Sequence, residues 1–193
     1  MVFAELAVSI RVVVPVFNGE AELEQCLAAL RNSVVAPVEI IVVDDGSTDG
    51  AREARDEVLF FLDADGVAQT DAVGRVQAAF AKDVTLDALI GSYDDDPAER
   101  EFLSQYENLM HCFVHQTGNE QASTFWSGCG AIRRDVFLAH SGFDEAYSRP
   151  AIEAIELGYR LFQGGRRMMM DKHLRVKHLK KWTFWIGAYR GRN

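Results

Sequence analysis

The sequence predicts an α/β fold of the doubly wound kind, a mostly parallel central sheet flanked by helices. Two observations carry this expectation. Residues 11–15, 38–43 and 58–62 are short runs rich in Val, Ile, Leu and Phe, the pattern of strands buried on both faces. Each run gives way to a turn or an acidic cluster, which places a functional edge at the carboxyl ends of the strands.

The elements follow in order. The run at 11–15 stops near Pro15, and Leu23, Leu27 and Leu30 then recur at helical spacing behind Glu20, Glu22 and Glu24, acids that suit a helix N-terminus. Asn18 or Gly19 is the expected N-cap. Residues 38–43 end in Asp44-Asp45-Gly46, and residues 58–62 end in Asp63-Ala64-Asp65-Gly66. Only ten residues separate Ser47 from Val58, near the lower limit of roughly a dozen for a parallel crossover. A helix from about Asp71 should bury Val73, Val76 and Phe80, and an apolar segment follows at 86–90. A longer helix is expected from Pro97, with Phe102, Tyr106, Leu109 and Phe113 as its buried stripe. Phe125-Trp126 and Ala131-Ile132 read as short strands around Gly128-Cys129-Gly130. A last helix over 151–163 should bury Ile152, Ile155, Tyr159 and Phe162 before Gly164-Gly165 stops it.

With 193 residues, 48% hydrophobic and 25% charged, the chain fits one domain and is not globally disordered. No apolar run reaches the roughly 20 residues of a membrane span. The first ten residues carry Glu5 and no basic residue, unlike a secretory signal. Cys26, Cys112 and Cys129 form neither a disulfide framework nor a metal clip, so a reducing, cytoplasmic setting is expected. The net charge of −9 is uneven: residues 166–193 hold nine Lys or Arg and one acid, leaving 11 basic and 28 acidic residues before them. An acidic body argues against a general nucleic-acid binder. The basic C-terminal tail is either a solvated segment or a contact for phosphate or an anionic membrane surface, which would set the protein at the cytoplasmic face of a membrane.

Residues 13–18 (VVPVFN), 42–49 (VVDDGSTD) and 61–65 (FLDAD), in that order, resemble the family 2 glycosyltransferases of the GT-A fold. Residues 142–145 (GFDE) and 153–161 (EAIELGYRL) are similar to the acceptor-side segment of that family, so the likeness spans about residues 10–182. It implies one domain over 1–193, with a nucleotide-sugar and metal half at 1–92 and an acceptor half at 93–193. It implies a metal-dependent, inverting transfer of sugar from a nucleoside-diphosphate sugar, a UDP-sugar by preference, to a sugar or lipid-linked acceptor.

The resemblance assigns roles residue by residue. Asp63 and Asp65, two apart at a strand end, match the DxD motif and offer hard oxygen ligands to Mn²⁺ or Mg²⁺. His178 is a candidate third ligand, against the simpler reading of a surface histidine in a basic stretch. Val14, Pro15, Phe17, Glu20, Asp44 and Asp45 match the nucleotide pocket, with Asp45 on the base edge. Lys177, Lys180 and Lys181 are candidates for the diphosphate or a lipid phosphate.

Two departures stand out. Where the family opens a helix with Glu-Asp and uses the Asp as base, this chain has Glu153-Ala154, and alanine takes no proton. Either Glu153 or another acid replaces it, with Asp144 and Glu145 next in line, or the chain is a silent nucleotide-sugar binding module. The short stretch between about 49 and 56 also leaves no room for the strand and Arg-bearing loop of relatives, through deletion or through residues missing from the chain. A QxxRW motif is absent, which disfavours a polymerising enzyme. A nucleotidyltransferase is disfavoured as well, because residues 16–20 form no Gly-rich basic loop. His111 and His115 lack an HExxH glutamate and are expected to face solvent, and residues 94–96 to cap the helix at Pro97.

Overall fold

The computed structural model describes residues 8–16, 20–44, 57–147 and 152–183. Phe17 and Asp45, the proposed cap at 18–19 and the short crossover lie outside them. Seven strands form one sheet: β1 (Ile10–Val16), β2 (Glu39–Asp44), β3 (Val58–Leu62), β4 (Gly66–Ala68), β5 (Ala88–Tyr93), β6 (Cys129–Arg133) and β7 (Met168–His178). Their order is β2-β1-β3-β6-β5-β7-β4. The pairs β1–β2, β1–β3 and β5–β7 are parallel, while β6 runs against β3 and β5, and β4 against β7. Five strands therefore share one direction, as the fold class predicts. One sheet spans both proposed halves of the chain, and the 92/93 boundary cuts through β5.

The described helices are α1 (Glu20–Arg31), α2 (Ala72–Lys82), α3 (Phe102–Thr117), α4 (Arg134–Ala139) and α5 (Glu153–Gln163). Strand side chains alternate between faces, which splits the core in two. Val12, Val14, Phe60 and Leu62 pack with Leu30 of α1 and with Val73, Val76 and Phe80 of α2. Val13, Leu59, Phe61 and Ile132 pack on the other face with Phe137 of α4 and with Leu157 and Leu161 of α5. As the run of five apolar residues predicts, β3 is buried throughout.

Several expectations need correction. Among the described residues β2 pairs only with β1 and so lies at the sheet edge, where Val38 and Val42 are exposed. Pro97 does not open a helix. The Asp96 amide turns back to Asp94 Oδ1 at 3.1 Å, and α3 begins only at Phe102. Its stripe is inverted: Phe102, Tyr106, Leu109 and Phe113 face out, and Ser104, Asn108 and Cys112 face in. α5 is inverted too, burying Ala154, Leu157, Gly158 and Leu161 while Ile152, Ile155, Tyr159 and Phe162 are exposed. The reason is Gly158, where a Cβ would overlap the backbone of Thr124 and Phe125. Only a bare backbone lets the helix lie that close. Phe125 and Trp126 are not in a strand; Phe125 is a core residue under α5.

Residues 168–178 of the basic tail form β7, an 11-residue strand inside the sheet. Five of the tail's cations are engaged within the fold: Arg166 with Asp87, Arg167 with Asp83, Arg175 with Asp95, Lys177 with Asp96 and Lys181 with Glu101. His115 is half-buried rather than solvent-facing, its ring 5.1 Å from Trp126, and His111 lies 5.7 Å from Tyr93. No helix among the described residues is long and apolar enough to cross a membrane.

Candidate active site

The carboxyl ends of β3, β5 and β7 meet at one edge of the sheet, and the site is built there. Leaving β3, the chain turns at once: the Asp63 amide donates to Gly128 O at 3.3 Å and the Gly66 amide to Asp63 O at 2.9 Å. Asp65 is held from the other side, its carbonyl accepting from the Leu179 amide at 2.8 Å. The turn is short enough that Gly66 pairs across to His178 in the β4–β7 ladder. The sequence Asp-Ala-Asp-Gly thus places two carboxylates beside the last residue of β7.

His178 is buried at 3% exposure. Its Nε2 lies 3.4 Å from Asp65 Oδ2 and its Nδ1 lies 2.5 Å from Asn108 Oδ1. Tyr93, the last residue of β5, stacks on its ring at 4.3 Å, and Trp126 meets Tyr93 edge-on at 4.8 Å. Of the three candidate lysines, Lys177 and Lys181 are engaged with Asp96 and Glu101. Lys180 is the one whose charge acts on both Asp63 and Asp65, and its Nζ sits 4.9 Å over the Trp182 ring.

The two carboxylates differ electrostatically. Burial, and then the charge of Asp65, push the Asp63 carboxyl up to about 6, against the smaller opposing pull of His178 and Lys180. Burial also pulls Asp65 upward. The His178 hydrogen bond and the charges of His178 and Lys180 outweigh it and hold that carboxyl below its usual value. Asp63 is therefore a carboxylate short of positive charge, which a divalent cation would supply. Among the described residues no group of three His, Cys, Asp or Glu side chains forms a ready-made metal centre. The donors nonetheless fit the protein's share of a hard cation that takes its remaining ligands from phosphate and water.

Glu153, at the start of α5, lies near enough for its charge to act on Asp63. Arg160 anchors that helix, bonding Glu156 twice at 2.7 Å, Gly142 O at 2.7 Å and the His140 carbonyl. Ala154 points the other way, into the core with Leu157 and Phe125. Position 154 is thus a packing position. Asp144 and Glu145 are exposed. Val14 is wholly buried under α1, so its side chain supports the edge without lining it, whereas Pro15 is half-buried and Glu20 exposed. Asp44 ends β2, paired to Val16. Sequence reasoning missed Tyr93 and Asn108; Tyr93 ends an apolar run before an acidic turn, as Leu62 does, and that signal was available.

A sequence model described as Glycosyl transferase family 2 matches residues 11–58 and 50–140. No curated protein matches the chain. Among solved structures, that of GalNAc-T7 with UDP, GalNAc and Mn²⁺ superposes with a TM-score of 0.68 at 16% identity, over 92% of this chain and 45% of its own. The mannosyltransferase PcManGT from Pyrobaculum calidifontis, in complex with GDP-Man and Mn²⁺, gives 0.67 at 17% identity, over 94% of this chain and 60% of its own. The chain spans about half the length of these two proteins.

Proposed function

Because the chain belongs to glycosyl transferase family 2, we propose that it moves a sugar from a nucleoside-diphosphate sugar to an acceptor hydroxyl, with inversion at the anomeric carbon. The observation that carries this reading is the convergence of Asp63, Asp65, His178 and Lys180 at the carboxyl edge of β3 and β7. Asp63 and Asp65, with His178 beside them, are the residues to hold Mn²⁺ or Mg²⁺. The cation, when bound, supplies Lewis-acid stabilisation of the departing diphosphate. Lys180 lies near enough to add a second positive charge to the same oxygens. Pro15, Glu20 and Asp44 belong to the segments that flank this edge, and together with Phe17 and Asp45, which lie outside the described residues, they are the proposed pocket for the base of a UDP-sugar.

Glu153 is the proposed general base. The acceptor oxygen attacks the anomeric carbon opposite the diphosphate, the bond to the diphosphate oxygen breaks, and the hydroxyl proton passes to the Glu153 carboxylate. The acceptor is a sugar or a lipid-linked hydroxyl. A second reading, a nucleotide-sugar binding module without transfer, is favoured by one observation, the buried alanine at position 154, where the resemblance puts the family's base.

Calorimetry with UDP, GDP and their sugars, with Mn²⁺ and with chelator, tests the donor site. Binding should require metal, and Asp65→Ala should remove the metal-dependent part, by roughly 100-fold or more. Equal affinity in chelator refutes the metal assignment. Product formation separates enzyme from module: Glu153→Gln should cut transfer by about 10²- to 10⁴-fold with nucleotide affinity kept. Ala154→Asp should instead destabilise the fold by burying a carboxylate among apolar side chains.

A further inference from the structure

α3 buries the wrong residues for a helix that serves only packing. Its inward row is Ser104, Asn108 and Cys112, at 0%, 1% and 7% exposure. Polar side chains are buried at a cost unless they bond, and two of these three bond to the segment that carries His178. Ser104 Oγ accepts the Trp182 amide at 2.9 Å. One turn on, Asn108 Oδ1 lies 2.5 Å from His178 Nδ1.

An amide oxygen only accepts, so this contact requires hydrogen on Nδ1. In a neutral imidazole the hydrogen then leaves Nε2 with its lone pair, 3.4 Å from Asp65 Oδ2; the hydrogen bond and charge that hold Asp65 low belong to the protonated ring, which carries hydrogen on both nitrogens. The stacked Tyr93 ring, 12° from parallel, and Trp182, with its centroid at 6.3 Å, restrict rotation of the imidazole. We propose that Asn108 is a positioning residue that fixes the tautomer and ring plane of His178, presenting the Nε2 lone pair beside Asp65. This rests on the metal reading of the preceding section, and it explains why α3 is built with its polar row inward. The amide nitrogen, Asn108 Nδ2, has no partner among the described residues. Turning the amide over would give Nδ1 a donor instead of an acceptor and move the ring hydrogen to Nε2, where it would point at Asp65.

The two arrangements are distinguishable without metal. In the uniformly ¹⁵N-labelled full chain at pH 8, long-range ¹H–¹⁵N spectra should show His178 as the Nδ1–H tautomer. The Nε2–H tautomer overturns the proposal, and this measurement needs no variant to fold. Asn108→Leu should lose the Nδ1–H signature and weaken Mn²⁺ binding, read by the EPR of free Mn²⁺, by about 10- to 100-fold. Asn108→Asp, which keeps an acceptor, should restore the tautomer and most of the affinity. If Asn108→Leu leaves tautomer and Mn²⁺ affinity unchanged, Asn108 positions nothing. If the parent binds no Mn²⁺ yet shows the Nδ1–H form that Asn108→Leu abolishes, the metal reading fails and the positioning of the ring stands.

Discussion

Helices α2 and α3 both add side chains to the core on the same side of the sheet, yet they turn opposite faces to it. α2 buries Val73, Val76 and Phe80, the ordinary amphipathic solution. α3 gives that core Cys112 and otherwise buries Ser104 and Asn108 against β7 and the residues after it, leaving Phe102, Tyr106, Leu109 and Phe113 exposed. One helix is placed by the hydrophobic effect, the other by hydrogen bonds to His178 and to the Trp182 backbone. Stability and site geometry are thus carried by different elements, and substitutions should separate them.

The largest effect should fall on α2. Phe80 is 1% exposed, with the Arg133 guanidinium 5.2 Å from its ring centre. Phe80→Ala should cost about 3–5 kcal/mol in urea unfolding, while the protein that remains folded binds Mn²⁺ and nucleotide as the parent does. A matched loss of Mn²⁺ affinity would mean that core and site are not separable.

A smaller, pH-dependent effect belongs to α3. Burial, and then the charge of His111, lower the His115 pKa to about 4. The unfolded chain takes up this proton near pH 6.5 and the folded one not until about pH 4, so the stability His115 allows is full above pH 6.5 and is lost as pH falls toward 4. Between pH 7.5 and pH 5 the loss should be about 2 kcal/mol, and His115→Gln should flatten that part of the profile. An unchanged profile in the variant would place the pH dependence elsewhere.

The same contrast explains what the sequence could and could not disclose. β1, β3 and α2 are legible because Val12 to Val14, Phe60 to Leu62 and Val73 to Phe80 are buried at the periods their elements impose. Asp63 and Asp65 were legible as chemistry at a strand end, and His178 only through the family resemblance. Periodicity finds a stripe but not which way it faces. In α3 the inward row is polar because His178 and the Trp182 backbone need partners; in α5 it is small because Gly158 lies on the backbone of Thr124 and Phe125. β7 was hidden by its charges, although Leu174, Val176 and His178 alternate inward between Arg175 and Lys177. The pairing of those cations with the acids of residues 83–101 is a long-range fact that no local pattern holds. Asn108, a lone amide within a helix, belongs to no motif at all.

The smallest expected effect is on the outward face of α3. Phe102 is 81% exposed and Phe113 64%. Replacing both with Ser removes apolar area that the fold keeps in water, so the loss of burial energy should be close to zero. The helix propensities of Phe and Ser are similar, which leaves no local term to offset. The double variant should unfold within about 0.5 kcal/mol of the parent per substitution, with His178 and its tautomer unaffected. A cost above about 2 kcal/mol would mean that these rings are covered in solution, and it would erase the contrast with Phe80. Sedimentation of parent and double variant would then show whether the cover is a second copy of the chain.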